Sequence, residues 1–246
     1  MAANYYCLLL DLDGTLLDFK AAEREAITEI LVEAGLESGQ QQAEEFSEIN
    51  SQLWAALERG EIKKEQLGPE RFARFLVATG QTGNAAQLNK IYMDRLATKA
   101  MPMPGARELL EELAEFATLA VISNGNQRIQ LSRLQQSGLM PYFDEIFVSE
   151  KLGVNKPSAK FFDLALKYLG IKNREKVLVI GDSLTADIQG GINARLDTCW
   201  CNFTGEENHA GVTPTYTVQN FMQLKLVAIG EEELKLAENR EKKHLV

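Results

Sequence analysis

The stretch YYCLLLDLDGT, residues 5–15, contains the pattern that decides the fold. It opens with the short apolar run Tyr5–Leu10, and acidic residues and a glycine follow at once. A strand that is buried on both faces of a parallel sheet is a continuous apolar run, and it ends where polar loop residues begin. We therefore predict that this stretch is a buried strand and the loop that leaves it.

Similar apolar runs recur later in the chain and alternate with segments of helical periodicity. Strands that alternate with helices indicate a parallel sheet with helices on both faces, so we predict an α/β fold with a doubly wound parallel sheet. Ligands of such sheets bind beyond the carboxyl ends of the strands. The predicted strands are Thr118–Ile122, Glu145–Val148, Val177–Ile180 and Thr198–Cys201, and the predicted helices are Ala106–Phe116, Gln127–Ser137, Ala159–Leu169 and Ala186–Ala194.

The segment between the first strand and the rest of the sheet contains no comparable strand runs. It has helical patterns punctuated by glycines, at Lys20–Ala34, Gln41–Arg59, Glu65–Thr79 and Ala85–Ala97. We predict a catalytic core formed by residues 1–17 and 100–246. A small all-helical domain, residues 18–99, is inserted after the first strand and would serve as a cap over the strand ends.

The composition narrows the class of partner. The chain has 246 residues and a formal net charge of −9, which argues against a nucleic-acid polymer because phosphate backbones are usually met by basic surfaces. No stretch approaches the roughly 20 apolar residues that span a bilayer, and the amino terminus lacks a signal-peptide pattern. Three cysteines do not form a disulfide framework. We predict a cytoplasmic protein without a membrane partner, either a monomer or a homodimer.

The loop after the first strand reads D-L-D-G-T and combines three kinds of functional group. Asp11 and Asp13 occupy alternate positions, Gly14 allows a tight turn, and Thr15 adds a hydroxyl that is a candidate substrate ligand. Mg²⁺ is usually held by one or two carboxylates together with water and substrate phosphate. A carboxylate can also attack phosphorus as a nucleophile. Taken alone, the motif is equally typical of a capped turn.

Three further polar clusters follow later strands. Ser123 and Asn124 begin S-N-G, whose hydroxyl, amide and backbone N–H groups could cradle phosphate oxygens, although Ser and Asn are also common helix caps. Lys156 precedes a proline and supplies a positive charge. Asp182 and Asp187 belong to G-D-S-L-T-A-D and indicate a cation site, although Asp187 could simply favour a helix start.

Together the four clusters are far more specific than any one of them. Each follows an apolar strand, and the carboxyl ends of parallel strands meet at one edge of the sheet. Their chemistry is complementary: carboxylates for a metal, a nucleophile, hydroxyl and amide donors, and one cation. We therefore predict a shared Mg²⁺ site for a small-molecule phosphate monoester.

In this order the clusters resemble the four motifs of the haloacid dehalogenase superfamily, and the helical insert is similar to that family's all-helical cap. The resemblance implies that Asp11 is the nucleophile and Asp13 the general acid and base. It also implies that Asp11, Asp182 and the backbone carbonyl of Asp13 hold Mg²⁺. Asp187 would support the metal, and the phosphoryl group would lie against Ser123, Asn124 and Lys156.

Asp13 separates the branches of this family. Dehalogenases lack an acid two residues after the nucleophile because they have no phosphate leaving group to protonate, so Asp13 implies phosphoryl chemistry. In a phosphatase it would protonate the leaving alkoxide and then deprotonate the water that hydrolyses an aspartyl-phosphate. Phosphoglucomutase-like members carry both acids, so a mutase competes with the phosphatase interpretation.

A narrower resemblance concerns the substrate. The stretches N-S-Q-L-W (Asn50–Trp54), E-R-G-E-I (Glu58–Ile62), G-G-I-N-A-R-L-D-T-C-W (Gly190–Trp200) and T-P-T-Y-T-V (Thr213–Val218) are similar to bacterial pyrimidine 5′-nucleotidases. This implies a nucleoside monophosphate as substrate, with Trp54 or Phe19 as a stacking partner for the base, although Trp54 also fits a core position. A sugar-phosphate phosphatase and a catalytically silent binding protein are two further hypotheses that this sequence leaves open.

Overall fold

A parallel sheet forms the centre of the fold in a computed structural model that describes residues 3–232 and 234–235. The strand order is β3-β2-β1-β4-β5-β6, and every neighbouring pair is parallel. This confirms the predicted α/β class and the parallel sheet. The strands are β1 (Cys7–Leu10), β2 (Thr118–Ser123), β3 (Glu145–Val148), β4 (Val177–Gly181), β5 (Asp197–Cys201) and β6 (Tyr216–Val218).

The sheet reverses its winding direction between β1 and β4. From β1 the chain reaches β2 and β3 on one side and later β4, β5 and β6 on the other. Such a switch point opens a crevice at the carboxyl ends of the two central strands. Leu10 pairs with Ile180 in the register of β1 and β4, so the residues that follow these two strands emerge side by side.

Helices connect the strands and also form the long insert after β1. The π-helical turn Leu184–Ile188 follows β4, and a 3₁₀ turn covers Met140–Tyr142. The α-helices are α1 (Phe19–Glu33), α2 (Gln40–Glu58), α3 (Lys64–Ala78), α4 (Ala85–Leu96), α5 (Ala106–Ala114), α6 (Gln127–Ser137), α7 (Ser149–Leu152), α8 (Ala159–Tyr168), α9 (Gln189–Asn193) and α10 (Phe221–Ile229).

The chain divides into two compact units. The sheet unit comprises the described residues up to Leu17, Pro102–Gly125 and the described residues from Leu139 onward, and the helical unit comprises Asp18–Met101 and Asn126–Gly138. The helical unit therefore contains α1 to α4 together with α6. The domain boundaries at residues 17/18 and 99/100 stay a prediction, and the last part of the predicted core, residues 236–246, lies outside the described residues.

The core of the sheet unit is built on alternate residues of its strands. Cys7 and Leu9 of β1 have no exposed surface and share a cluster with Phe161 and Phe162 of α8. Because side chains alternate across a strand, Leu8 and Leu10 point to the opposite face, and they are buried as well. Burial on both faces explains why β1 is a continuous apolar run.

The helical unit has its own aromatic core. Phe46 lies against Phe72 and Tyr92 with ring centroids 5.0 and 5.1 Å apart, and Phe75 packs edge-on to Phe46. Aromatic pairs at such spacing stabilise a core beyond the area that they bury. Trp54 is partly buried against this core, as the core interpretation of that residue expects.

Several predicted elements differ from the observed ones at their ends. The first strand begins at Cys7 rather than Tyr5, and the region predicted as the helix Ala186–Ala194 is a π-helical turn followed by the short α9. The short strand β6 and the helix α10 were not predicted. β6 lies at the sheet edge with Tyr216 and Thr217 exposed, so it lacks an apolar run.

No helix among the described residues has the length and apolar character needed to cross a membrane.

Candidate active site

Asp11 and Asp182 begin the loops that leave the two central strands. Asp11 follows β1 directly, and its backbone N–H donates to the carbonyl of Ile180 in β4 at 2.8 Å. Asp182 follows β4 and keeps solvent access, whereas Asp11 is buried. The switch point of the sheet thus brings together two acids that are far apart in the sequence.

Lys156 connects the motifs through the ammonium group of its side chain, and the side chain is 2% exposed. Its Nζ donates to Asp11 Oδ1 at 2.7 Å, to Asp187 Oδ1 at 2.6 Å and to the carbonyl of Ile122 at 2.9 Å. These three acceptors use the three N–H groups of the ammonium. The cation therefore bridges the nucleophile candidate and an acid of the fourth motif.

Asn124 orients the segment that carries Lys156. Its amide Nδ2 donates to the backbone carbonyl of Lys156, and its Oδ1 accepts from the backbone N–H of Lys156, both at 2.9 Å. Ser123 is buried at the end of β2, and its Oγ accepts from the backbone N–H of Gly125 at 3.0 Å. The S-N-G loop and the Lys156 loop are thereby joined side by side.

A group of carboxylates forms a candidate metal centre. One side-chain oxygen from each of Asp11, Asp182 and Asp187 lies within 4.8 Å of the others. Asp187 is 1% exposed and accepts a 3.1 Å hydrogen bond at Oδ2 from the backbone N–H of Ser183. Hard oxygen donors at this spacing are the type of ligand that Mg²⁺ takes in proteins.

Burial and mutual repulsion raise the pKa values of Asp11 and Asp182. Desolvation raises the pKa of Asp11 well above its ordinary value, and the charges of Asp187 and Asp182 raise it further, while Lys156 opposes the shift. Desolvation by the surrounding atoms and repulsion from Asp187 also raise the pKa of Asp182, although that residue as a whole retains solvent access. One ammonium does not compensate three neighbouring carboxylates, so a bound cation would stabilise their ionised forms.

Burial alone would lower the pKa of Lys156, but the carboxylates of Asp11 and Asp187 outweigh it and raise the pKa above its ordinary value. The side chain is therefore an ammonium ion throughout the physiological pH range. It is a fixed positive charge beside the predicted nucleophile.

The remaining residues of the first motif lie in a tight loop after Asp11. Asp13 is partly buried and forms an isolated bridge with Leu17, and Gly14 has φ +84°, a conformation that favours glycine. Thr15 has no exposed surface, and its Oγ1 has no hydrogen-bond partner in the described part of the chain. A substrate contact by Thr15 stays a prediction.

Sequence reasoning missed two structural roles at this site. It considered Asn124 as a phosphate ligand or a helix cap, whereas both polar atoms of its side chain contact the Lys156 backbone. It assigned no role to Trp200, whose indole Nε1 donates to the backbone carbonyl of Asp182 at 2.9 Å. A tryptophan at the end of a buried strand is a usable signal, because a buried indole N–H usually finds a polar partner.

The arrangement is suited to phosphoryl transfer. Such a reaction asks mainly for positioning and charge stabilisation, which the fixed ammonium of Lys156 and a cation on the carboxylates would supply. Asp11 contacts the Lys156 ammonium and belongs to the group of carboxylates that could hold the cation. All of these groups belong to the sheet unit.

Comparison with known families gives an independent result. A family model described as haloacid dehalogenase-like hydrolase matches residues 6–195 of the chain. The matched range includes all four motifs, from Asp11 to Asp187.

Individual relatives cover most of the chain. The pyrimidine 5′-nucleotidase PynA of Streptococcus pneumoniae is 42% identical over 89% of this chain and 93% of its own length. The pyrimidine 5′-nucleotidase YjjG of Escherichia coli is 37% identical over 74% of this chain and 80% of its own. Bacillus subtilis YfnB, in a crystal structure bound to magnesium, superimposes with a TM-score of 0.85 at 35% identity and covers 89% of this chain and 96% of its own.

Proposed function

The chain belongs to the haloacid dehalogenase-like hydrolases and is a phosphoric monoester hydrolase, and from this premise we propose that it is a magnesium-dependent 5′-nucleotidase for pyrimidine nucleoside monophosphates. The observation that carries the proposal is the contact between Lys156 Nζ and Asp11 Oδ1 inside a group of three carboxylates. This contact supports a single site that would combine a nucleophile, a cation and metal ligands.

Asp11 acts as the nucleophile. Its Oδ1 is held by Lys156, and the carboxylate attacks the phosphorus of the bound monoester to give an aspartyl-phosphate. The ammonium of Lys156 offsets the repulsion between the attacking carboxylate and the negatively charged phosphate. Asn124 acts through the Lys156 backbone and keeps that loop in place, and the Ser123 loop contributes donors to the phosphoryl oxygens.

Asp13 acts as the general acid and then as the general base. As an acid it donates a proton to the leaving alkoxide of the nucleoside. As a base it then takes a proton from the water that hydrolyses the aspartyl-phosphate and regenerates Asp11. Its position two residues after Asp11 puts both acids on the same short loop.

Asp11 and Asp182 would hold Mg²⁺, with the backbone carbonyl of Asp13 as a further ligand and Asp187 in support. The donor set fits this ion, because it consists of hard oxygens and carries more negative charge than Lys156 offsets. When bound, Mg²⁺ would stabilise the negative charge of the transferring phosphoryl group.

The substrate class rests on the two relatives whose names state pyrimidine 5′-nucleotidase activity. Phe19 and Trp54, both only partly buried in the helical unit, are the candidate stacking partners for the base. The proposal also includes the all-helical domain of residues 18–99 as the element that selects the nucleoside, and a cytoplasmic location.

A panel of monophosphates tests the proposal. Purified protein is assayed for phosphate release from pyrimidine nucleotides, purine nucleotides and sugar phosphates, with and without Mg²⁺. We expect kcat/KM for pyrimidine nucleotides to exceed that of the other classes and to depend on Mg²⁺. Equal activity toward all three classes would overturn the nucleotidase assignment, and a bisphosphate requirement without phosphate release would indicate a mutase instead.

A beryllium fluoride complex tests the nucleophile directly. Beryllium trifluoride adds to the carboxylate that would be phosphorylated, so the complex should show it on Asp11. Addition to Asp13 or Asp182 would overturn the assignment.

A further inference from the structure

The peptide unit between Asp182 and Ser183 is held at both of its polar ends. Its carbonyl oxygen, on Asp182, accepts a 2.9 Å hydrogen bond from the indole Nε1 of Trp200. Its N–H, on Ser183, donates a 3.1 Å hydrogen bond to Oδ2 of Asp187. One peptide unit thus connects a tryptophan on β5 to both acids of the fourth motif.

The geometry of the peptide bond makes these two contacts interdependent. A trans peptide is planar, and its C=O and N–H point in opposite directions. When the indole fixes the direction of the carbonyl, it also fixes the direction in which the Ser183 N–H points. The same plane begins at the α-carbon of Asp182, so it limits where that carboxylate can lie.

Packing keeps the indole itself in place. Trp200 pairs with Gly181 in the register of β5 and β4, so it stands beside the strand that delivers Asp182. Its side chain is buried in a cluster with Ile188 and Val212, and Leu184 packs against the same cluster. Leu184 and Ile188 are the two ends of the π-helical turn that carries Asp187. The cluster that holds the ring thus includes residues from both ends of the turn, and the indole donates a hydrogen bond to the peptide that precedes it.

From these contacts we infer that Trp200 is a positioning residue for the metal centre, acting through the Asp182–Ser183 peptide on the carboxylates of Asp182 and Asp187. The inference rests on the proposed function, which assigns those carboxylates to Mg²⁺. Groups that orient metal ligands without touching the metal commonly tune its affinity. Without the indole N–H the peptide plane can rotate, and Asp187 loses the Ser183 hydrogen bond.

Two variants separate this role from plain packing. Trp200→Phe keeps an aromatic ring in the cluster but removes the N–H donor. Val212→Ala weakens the same cluster while the indole hydrogen bond stays intact. Both variants lose stability through reduced packing, so only an effect that is confined to Trp200→Phe reports on positioning.

Mg²⁺ binding is measured by calorimetry on each purified protein without substrate, after circular dichroism has confirmed folding. We expect the Mg²⁺ dissociation constant of Trp200→Phe to rise about tenfold, in the range found for groups that orient metal ligands. We expect Val212→Ala to retain the parent value. The kcat of Trp200→Phe at saturating Mg²⁺ should recover toward that of the parent protein. An unchanged Mg²⁺ affinity in folded Trp200→Phe would overturn the inference.

The unaltered protein provides a second measurement that needs no change at the site. The chain contains two tryptophans, so a ¹⁵N spectrum has two indole signals, and Trp54→Phe identifies the one from Trp200. Addition of Mg²⁺ should shift the Trp200 signal. If Trp200→Phe does not fold, this measurement decides the question, and the absence of a shift overturns the inference. A parent protein that binds no Mg²⁺ in calorimetry would instead refute the proposed magnesium dependence, and the inference with it.

Discussion

The backbone of Gly14 lies directly against the carboxylate of Asp182: a β-carbon built on Gly14 would be 2.1 Å from Oδ2 of Asp182. The two residues belong to the first and the fourth motif. Their contact requires a residue without a side chain, and φ at Gly14 is +84°. Two separate constraints therefore favour glycine at position 14: the close approach of the Asp182 carboxylate and the left-handed backbone conformation.

The first prediction separates the effect of the close contact with Asp182 from the effect of the left-handed backbone at Gly14. Gly14→Ala should abolish most activity and weaken Mg²⁺ binding, because the added methyl group displaces Asp182. Gly170→Ala is the matched control, since Gly170 has φ +70° and nothing within 4 Å of its added β-carbon. Both changes should cost about 1–2 kcal/mol of stability from the left-handed backbone. Activity assays and urea denaturation of both variants check this, and normal activity in Gly14→Ala would contradict it.

The second prediction concerns the nucleophile. Asp11→Asn should lower kcat by a factor of about 10³ or more, because an amide cannot attack phosphorus and form the covalent intermediate. The fold should persist, since the amide has nearly the same shape as the carboxylate. Asp163→Asn is the control, as this exposed acid pairs with Arg174 at the surface and should leave kcat unchanged. A near-native rate in Asp11→Asn would show that another group is the nucleophile.

The third prediction concerns Lys156. Lys156→Met should abolish turnover and destabilise the fold by about 3–5 kcal/mol, because Asp11 and Asp187 are then left buried without their partner. Added Mg²⁺ should raise the melting temperature of this variant more than that of the parent protein, since the ion replaces the lost positive charge. The exposed Lys160→Met provides the comparison in thermal and urea denaturation. Equal stability of the two variants would argue against the buried ion pairs.

The fourth prediction concerns a buried charge pair in the helical unit. Glu23 and Arg71 are 2% and 4% exposed, and Asn50 Nδ2 donates to Glu23 Oε1 at 2.6 Å. Desolvation raises the pKa of Glu23, and desolvation lowers the pKa of Arg71, while each charge favours the ionised form of the other. Each charge is therefore costly to bury alone.

Glu23→Leu and Arg71→Met should each destabilise the protein by about 3–5 kcal/mol, because each leaves a buried charge without the opposite charge that favours its ionised form. The double variant should lose less than the sum of the two losses. Urea denaturation of the four proteins measures this coupling free energy. The exposed pair Arg59 and Glu61 is the control cycle, where we expect no measurable coupling. Additive losses at Glu23 and Arg71 would show that the two charges are independent.

The order of strands and helices could be predicted largely from local patterns. β3 and α6 have the predicted ends, and the helices of the insert agree within one residue, because each has an amphipathic or apolar period that is set locally. The missed strand β6 has a local cause. β6 is three residues long and mostly exposed, so its β-favouring residues Tyr216, Thr217 and Val218 are too few to indicate a strand until β5 provides the partner.

The sequence by itself determined the fold class, the four motifs and the chemical types that they supply, since apolar periodicity and the spacing of Asp11, Asp13, Lys156 and Asp182 are properties of the linear chain. Only the tertiary structure decided which atoms meet. Lys156 and Asp11 are 145 positions apart, and their 2.7 Å contact depends on strand order, register and the direction of each loop. The links from Asn124 to the Lys156 backbone and from Trp200 to the Asp182 carbonyl involve backbone groups. Every residue carries such groups, so even where a buried tryptophan signals that it needs a partner, the sequence does not say which backbone group that partner is.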